Sequence, residues 1–426
     1  MHRTAPSTDS PAVEATGGVQ RRPGEPGRAE LTAMLAMSMA LAALGIDLML
    51  PAFGAIRSEL GLAADSNAVA GLVTAYFLGL ALGQLVYGPI ADRYGRRRTL
   101  YIGFAIYGIG AALATFAPSL GLLLLSRAVW GFGAAGARVV TFAVVRDRTE
   151  GDVMARTMSF IMAVFILVPI VAPTLGAAVV AVASWRWVFG VCVVAVGGMA
   201  LWARRLPETL AEHHRRELRL RPVARAAREV VSHRATVGYT LAMTSLYAIF
   251  VSWIGSSEII VSEVFDARDA FPLVFGGLAA AIGVAILLNA RLVERVGTRR
   301  LAHLVLFGYV GASLLLVAVA FVGDGTPPLW LFLGVAALLL GSHGLLIPNL
   351  NTIAMQPMGA VAGTASSVIG AVQLAGGALL GAVVDRAFDG TVRPLALGFL
   401  GFGVLALLLV LWAERGRLFE PLRAPA

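Results

Sequence analysis

The stretch GPIADRYGRRR, residues 88–98, directly follows a long apolar run. A second stretch, ERVGTRR at residues 294–300, follows another apolar run much later in the chain. An acid, an arginine, a glycine and two further arginines recur in both at the same offsets. One short charged loop arises easily by chance, whereas its repetition in register predicts a chain built from two similar halves.

Both charged stretches contain residues that can form contacts in one conformation of the chain and lose them in another. Gly95 permits a tight turn between helices, and Asp92, at a helix end, can pair with arginines and cap a neighbouring helix. Such contacts form in one conformation and break in another, which predicts a gating role; a loop that only sets topology is the alternative. The predicted gating residues are Gly88, Asp92, Arg93, Gly95, Arg96, Arg97, Glu294, Arg295 and Gly297.

The composition around the two loops is that of a membrane protein. The 426 residues are 58% hydrophobic and 14% charged, whereas soluble domains carry about 25% charged residues. The mean hydropathy is +0.80, and a bilayer accommodates apolar surface that a soluble fold of this length cannot hide. The single cysteine, Cys192, excludes a disulfide within the chain, and we expect no metal and no cofactor.

Twelve apolar runs are each long enough to cross a hydrocarbon core of about 30 Å. They predict an all-α polytopic membrane protein with two six-helix bundles. The predicted spans are 31–53, 68–90, 99–117, 119–143, 158–181, 186–205, 236–262, 272–292, 301–322, 329–350, 361–384 and 394–413. The predicted domains are a disordered tail (1–29), an N-terminal bundle (30–205), a basic linker (206–235), a C-terminal bundle (236–413) and a second tail (414–426).

The distribution of arginine predicts the orientation. If the N-terminus is cytoplasmic, 27 of the 34 basic residues fall in inside segments and five in outside segments. The positive-inside rule then predicts that both termini are cytoplasmic, and we expect the chain in the plasma membrane. The net charge of +9 reflects these loop ends, which is the membrane pattern and not that of nucleic-acid binding. The linker predicts a basic helix on anionic lipid, with His213 and His214 solvated.

Two charged residues lie deep within predicted spans. A carboxylate such as Asp47 in span one is costly and functional by default. Pro51 leaves the carbonyl of residue 47 without its helical donor, and burial favours the protonated carboxyl. At 1.5 Å per residue, Asp47 and Arg127 lie roughly 9 and 12 Å below the outer end, which predicts that they couple, directly or through water. Asp47 is therefore a candidate proton carrier, with a structural ion pair as the alternative.

Other polar and small residues within the spans suggest further sites. Glu258 in span seven is either a second proton-coupling or cation-recognition residue or a solvated carboxylate, and the sequence leaves both open. Pro169, Pro173 and Gly176 predict a bent, closely packed span five that seals one side of a cavity; an ordinary kink is the alternative. Candidate cavity residues, which plain packing or hydrogen bonding between helices would also explain, are Gln84, Trp130, Arg138, Trp253, Asn349 and Gln373.

These motifs resemble the twelve-span drug:proton antiporters of the major facilitator superfamily, specifically the bicyclomycin- and chloramphenicol-resistance branch, over about residues 31–413. The resemblance rests on Asp47 with Leu50-Pro51-Ala52, Gly83-Gln84 with the 88–98 loop, Arg127 with Gly131 and Arg146-Asp147, WRWVF at 185–189, LPETL at 206–210, Pro348-Asn349, and AGTASS at 362–367 with Gly370. It implies the major facilitator fold, export by proton antiport, and participation of Arg127 in proton coupling.

The sequence therefore predicts a proton-coupled exporter of small hydrophobic drugs or metabolites. An uptake symporter or a narrow-specificity exporter of the same fold is the first alternative. A receptor or enzyme is a remote one, because the chain has neither H-E-x-x-H nor G-x-S-x-G. The expected partners are a hydrophobic substrate, protons and the bilayer, with no nucleic acid and a monomeric state.

Overall fold

The computed structural model describes residues 26–211 and 221–419, and every regular element within them is helical. Short 3-10 and π-helical turns join or extend some of the α-helices. The α-helices are α1 (Arg28–Asp47), α2 (Phe53–Glu59), α3 (Gly71–Tyr94), α4 (Arg96–Thr115), α5 (Leu120–Arg148), α6 (Gly151–Val182), α7 (Arg186–Trp202), α8 (Arg221–Ser232), α9 (Arg234–Ile259), α10 (Phe271–Val296), α11 (Thr298–Val322), α12 (Leu329–Met355), α13 (Ala362–Arg386) and α14 (Arg393–Ala413).

These helices confirm the predicted all-α polytopic membrane fold. Span one consists of α1 and α2, spans two to six are α3 to α7, and spans seven to twelve are α9 to α14. Eleven of these twelve spans are long and apolar enough to cross a bilayer. The exception among them is span three, α4, whose first turn carries three arginines. The predicted separation of spans three and four is confirmed, because α4 ends at Thr115 and the Ser119 hydroxyl caps α5 by accepting from the Leu122 amide.

The buried apolar side chains form two clusters. One consists mostly of residues from α1 to α7, and the other of residues from α8 to α14. We call α1–α7 the N-terminal half and α9–α14 the C-terminal half. The halves meet where α3 packs on α13 and where α6 packs on α10, so parts of α9, α10 and α13 join the first cluster. The domain boundaries given above remain predictions.

Small residues bring α3 and α5 into backbone contact inside the N-terminal half. A Cβ added to Gly79 would lie 1.9 Å from the Ala128 carbonyl oxygen, and one added to Gly131 would lie 2.0 Å from the Tyr76 carbonyl oxygen. Without a hydrophobic force between helices in lipid, such close approach supplies the van der Waals energy of association. This interface positions Arg127, one turn before Gly131 on α5.

Replacing Gly131 with Ala is expected to destabilise the fold. The methyl group forces α3 and α5 apart, and overpacking costs about 1–3 kcal/mol, which exceeds the gain of about 1 kcal/mol in helix propensity. The measurement is the thermal unfolding midpoint of the purified chain in detergent. Gly121→Ala on the same helix is the control, because no atom lies within 4 Å of its added Cβ. Equal midpoints for the two variants would contradict the packing account.

The two charged loops have the same backbone geometry. Gly95 has φ 93° and ψ 164°, and Gly297 has φ 85° and ψ 146°. Glycine adopts this region without the steric penalty of a side chain. Each glycine ends one helix and starts the next, so the sequence repeat corresponds to a structural repeat. We call the end of the molecule that carries residues 88–98 the Asp92 end and the opposite end, which carries α2, the Arg57 end.

The helix α8 lies between the two halves in sequence. Its Ala226 and Val230 side chains are buried against the C-terminal half, where α8 packs on α9 and α13. Arg225 and Arg228 are exposed on its other side. The sequence analysis predicted a basic helix within the linker 206–235, and α8 is a helix within that range. The rest of that prediction, including His213 and His214, lies outside the described residues, as do the tail over residues 1–25 and the end of the chain from 420.

Candidate transport site

Span one is interrupted directly after Asp47. The helix α1 ends at this residue, a 3-10 turn over Leu50–Ala52 follows, and α2 begins at Phe53. Pro51 lies in that turn and has no amide hydrogen, so it cannot donate the backbone hydrogen bond that would continue the helix. The Asp47 side chain is only 4% exposed. The sequence thus places a buried carboxylate at a break in a membrane-spanning helix, where neighbouring backbone carbonyls lack helical donors.

The break in span one is in contact with span five. A Cβ added to Gly176 would lie 2.1 Å from the Leu48 carbonyl oxygen and 3.4 Å from Pro51 Cδ. Gly176 and Pro173 are buried, and Pro169 is half-buried, within a continuous α6. The same helix reaches the other half, because a Cβ on Gly276 of α10 would lie 2.9 Å from the Ile170 carbonyl oxygen. Span five therefore links the segment after Asp47 to the C-terminal half.

Arg127 is completely buried in a pocket of aromatic rings and backbone. Its guanidinium carbon lies 4.4 Å from the Tyr76 ring centroid and 4.6 Å from that of Trp130. Its Nε donates to the Leu72 carbonyl oxygen at 3.3 Å. Within the described chain, neither terminal nitrogen has a hydrogen-bond partner. The guanidinium is therefore stabilised by cation–π contact with two rings and by one carbonyl oxygen. No carboxylate forms an ion pair with it in the described structure.

Asp47 lies two residues from the aromatic pocket that holds Arg127, but no ion pair within 4.0 Å joins the two side chains among the described residues. Gly45, two residues before Asp47, lies against the pocket, because its added Cβ would be 3.2 Å from both the Trp130 indole nitrogen and the Tyr76 hydroxyl. The Tyr76 hydroxyl donates to the Ala42 carbonyl oxygen of α1 at 2.8 Å. Of the two predicted forms of coupling, direct or through water, the direct ion pair is not made in this conformation. The α1 backbone contacts the pocket that holds Arg127.

Glu258 forms a buried ion pair between the halves. Its Oε2 lies 2.8 Å from Arg57 Nη1, and the two side chains are 4% and 3% exposed. This burial excludes the alternative in which Glu258 is a solvated carboxylate. Glu263 lies 3.8 Å from the same arginine and pairs with Arg268 at 2.7 Å nearer the surface. Because α2 belongs to one half and α9 to the other, these charges hold the Arg57 end closed.

The Asp92 end carries a polar network inside the N-terminal half. Arg96 Nη1 lies 2.7 Å from Asp92 Oδ1, and its Nε lies 2.9 Å from Asp147 Oδ2. The Thr209 hydroxyl donates to the same Asp147 oxygen at 3.0 Å. The predicted pairing of Asp92 with a loop arginine is present. In the described ranges no hydrogen bond or ion pair joins the two halves at this end, in contrast to the Arg57 end.

The N-terminus of α4 is capped by Glu208 and not by Asp92. Glu208 Oε1 accepts from the Arg96 amide at 2.8 Å, and Oε2 accepts from the Arg97 amide at 3.2 Å. A Cβ on Gly95 would lie 2.2 Å from Oε2, so this glycine is required by the close carboxylate as well as by its φ. A negative charge at these free amides is favourable for helix stability. Sequence reasoning noted Glu208 only as part of the LPETL resemblance.

Replacing Glu208 with Ala is expected to lower stability, because loss of a helix N-cap costs about 0.5–2 kcal/mol. Gln retains one carbonyl acceptor and is expected to have an intermediate effect. The measurement is the thermal unfolding midpoint in detergent, with Glu294→Ala as control. Glu294 is exposed, and no ion pair involves it in the parts of the chain that the structure covers. An unchanged midpoint for Glu208→Ala would refute the cap.

The repeated loop of the C-terminal half uses different partners. Glu294 and Arg295 are exposed, whereas Arg299 pairs with Glu414, which follows the last span. The Tyr239 hydroxyl donates to Glu414 Oε1 at 2.5 Å. In both halves, therefore, a glutamate beyond the sixth span binds the loop after the second span. The predicted gating residues Gly88 and Arg93 lie within the end of α3, and Arg97 lies in the first turn of α4. Arg93 and Arg97 form no ion pair in the described structure.

The candidate cavity residues fall into two groups. Trp130, Trp253 and Asn349 lie within the packed interior of their own halves: Trp130 contacts Tyr107 and Phe189 at ring-centroid distances of 5.2 and 5.8 Å, and Asn349 donates to Asn289 at 2.7 Å. This placement argues against them as cavity walls in this conformation. Gln84, Arg138 and Gln373 are half-buried, and the Gln84 amide would be 2.1 Å from a Cβ on Gly370 of the other half.

The fold and this site agree with comparisons to known proteins. The sequence profile described as Major Facilitator Superfamily matches residues 33–381. The chain is 29% identical, over 82% of its length and 87% of the relative's, to the bicyclomycin resistance protein homolog of Haemophilus influenzae. It is 25% identical to multidrug resistance protein D of Escherichia coli over the same shares of both chains. The solved structure of a D-xylose-proton symporter shares the fold, with 14% identity, a TM-score of 0.71, and coverage of 92% of this chain and 98% of that one.

Membrane-spanning helices in two repeated halves, a buried charge pair between them and a carboxylate at a helix break define a secondary transporter. The chain belongs to the major facilitator superfamily. Its relatives bear out the resemblance to the bicyclomycin-resistance branch. It is thus a multi-pass membrane transporter of a family that includes multidrug resistance proteins.

Proposed function

We propose that this chain exports small hydrophobic molecules from the cytoplasm in exchange for protons, by alternating access. The observation that carries the proposal is the buried Asp47 carboxylate at the break in span one. A carboxylate in this position is expensive to retain unless it binds protons or a partner charge, and the structure has no ion-pair partner within 4.0 Å of it among the described residues.

The proposed cycle follows from the contacts at each end. Protons from outside neutralise Asp47, which weakens its attraction to Arg127 and favours the state closed at the Arg57 end. The conformation described above is closed there by Arg57 and Glu258, and Asp47 and Arg127 are apart in it. Substrate binds from the Asp92 end, and release of the proton to the cytoplasm returns the carrier to the outward-open state. Span five transmits the change, because Gly176 packs on the backbone directly after Asp47.

The orientation and surroundings of the carrier are part of the proposal. We place the chain in the plasma membrane, with both termini in the cytoplasm on the basis of the arginine distribution. The exposed Arg225 and Arg228 of α8 are placed against anionic lipid, to which each basic residue contributes about 1 kcal/mol. The chain acts as a monomer without cofactor, metal or enzymatic activity.

A growth-inhibition assay tests the export function. A bacterium lacking its own pumps and expressing this chain is exposed to antibiotics and lipophilic cations. Resistance to some compounds, lost in Asp47→Asn at equal membrane abundance, is the expected result. Sensitivity to every compound with normal abundance would favour the second candidates, a narrow metabolite exporter or an uptake symporter of the same fold.

A further inference from the structure

A buried aspartate that is not part of the proposed proton pathway lies near the Arg57 end. Asp385, in the last turn of α13, is 5% exposed. Its Oδ1 accepts hydrogen bonds from the hydroxyls of Ser252 at 2.6 Å and Ser256 at 2.8 Å, both on α9. Two donors thus bind one oxygen of the carboxyl group, within the C-terminal half.

The N-terminal half closes over this carboxyl group. Asn67, just before α3, donates its Nδ2 to Ser256 Oγ at 2.7 Å and to the Asp385 carbonyl oxygen at 3.1 Å. Beside it, a Cβ on Gly255 would lie 3.0 Å from the Ala70 Cβ and 3.1 Å from Asp385 Oδ2. The cluster is therefore complete only when the two halves meet at this end.

Two oxygen atoms in the cluster have no hydrogen-bond partner in the described structure. They are Asp385 Oδ2 and Asn67 Oδ1, and both are buried. Two acceptors cannot satisfy each other, and a buried unpaired carboxylate is strongly disfavoured. One proton on Oδ2 removes the charge and converts that oxygen into a donor, for which Asn67 Oδ1 offers an acceptor on a residue already bonded to this cluster.

The charges around Asp385 do not replace that proton. Arg386 is adjacent but exposed, as is Asp65 on the loop before Asn67. Arg57 and Glu258, two residues after Ser256 on α9, pair with each other. No ion pair to Asp385 lies within 4.0 Å in the part of the chain that the structure describes. A hard metal ion is a poor fit, because such ions take about six or more oxygen ligands, and only two oxygens here are without a partner.

We propose that Asp385 is a proton-binding site of the C-terminal half that takes up its proton as the Arg57 end closes and releases it as this end opens. The carboxyl group is then neutral beneath Asn67 in the closed state and ionised in water in the open state. Protons on that side stabilise closure, independently of the proton that Asp47 carries. The inference rests on the alternating-access part of the proposed function, but on neither Asp47 nor the substrate.

The test measures opening of the Arg57 end against pH without substrate. Spin labels are placed at Ala64→Cys and Thr326→Cys, which are exposed at that end on different halves, while the native Cys192 is buried. All chains compared carry Asp47→Asn, because protonation of Asp47 is also proposed to close this end. With residue 385 wild-type, the ratio of open to closed distances is expected to rise with pH, by at most about tenfold per unit for one proton. Asp385→Asn, which is permanently neutral, is expected to stay closed across the range. Asp389→Asn, an exposed carboxylate on the following loop, is expected to retain the wild-type response.

Several results would overturn the proposal. A wild-type pH response in Asp385→Asn would do so, as would an Arg57 end that is open at every pH in this variant. Closure that follows sodium concentration at fixed pH, with choline as the comparison, would assign the site to a metal ion instead. Should Asp385→Asn not fold, Asn67→Ala gives the second measurement: it removes the proton's acceptor and is expected to reduce closure at acid pH. Because no substrate is present, these outcomes are separate from failure of the drug-export proposal.

Discussion

Replacing Asp47 with Asn is expected to abolish accumulation driven by a pH gradient while substrate exchange persists. Asn has nearly the same shape and fits the break in span one, but it binds no proton. In proteoliposomes, a gradient of two pH units drives at most about 100-fold accumulation for each proton exchanged. The variant is expected to bring substrate only to equal concentrations on both sides, because the conformational change is no longer linked to proton binding.

The control for this variant is Asp152→Asn. Asp152 is an exposed carboxylate in the first turn of α6, so the same chemical change there leaves the coupling intact. Accumulation by Asp47→Asn equal to that of Asp152→Asn would remove Asp47 from the coupling mechanism. Loss of both accumulation and exchange would instead indicate that the carboxylate is needed for the structure.

Replacing Arg127 with Lys is expected to reduce transport by on the order of 100-fold, although the charge is kept. The planar guanidinium stacks on Tyr76 and Trp130 while its Nε donates to the Leu72 carbonyl. A lysine ammonium is a point charge that cannot reproduce this arrangement. Each cation–π contact is worth about 0.5–2 kcal/mol, and each 1.36 kcal/mol lost from a barrier is about tenfold in rate. The measurement is the initial rate of proton-driven uptake into proteoliposomes.

Arg146→Lys is the matched control for Arg127→Lys. It makes the same substitution on the same helix, at an exposed position near the end of α5. Both variants are expected to be present in the membrane at wild-type levels. If Arg127→Lys transports as fast as Arg146→Lys, positive charge alone is sufficient and the aromatic pocket has no role in coupling.

The break in span one could be predicted from the sequence because its signals are local. A carboxylate within an apolar run and a proline four residues later identify the position of Asp47 and Pro51 without knowledge of any other helix. The repeat of the charged loops was also visible locally, and Gly95 and Gly297 have matching backbone angles. Fold class and span positions follow for the same reason, since length and hydropathy determine them.

Contacts between segments that are distant in sequence were beyond local patterns. Arg57 is one of the five basic residues assigned to outside segments, and no sequence pattern indicated that it is buried against Glu258 of the other half. Asp385 lies one residue beyond the predicted end of span eleven, whereas α13 continues to Arg386 and buries it. Glu208 caps a helix that is distant in sequence. Trp130 was a candidate cavity residue with plain packing as the alternative, and the structure shows the packing: Trp130 shares the side of α5 that carries Arg127 and packs inside the N-terminal half.

The central claim is that substrate and protons move in opposite directions. Purified wild-type protein in sealed proteoliposomes, given an acidic interior and a neutral exterior, tests it most directly, because the result does not depend on how the carrier is oriented. Antiport predicts that the vesicles concentrate a drug identified by the resistance assay and that a protonophore abolishes the accumulation. Accumulation only when the exterior is the acidic side would establish symport and contradict the account.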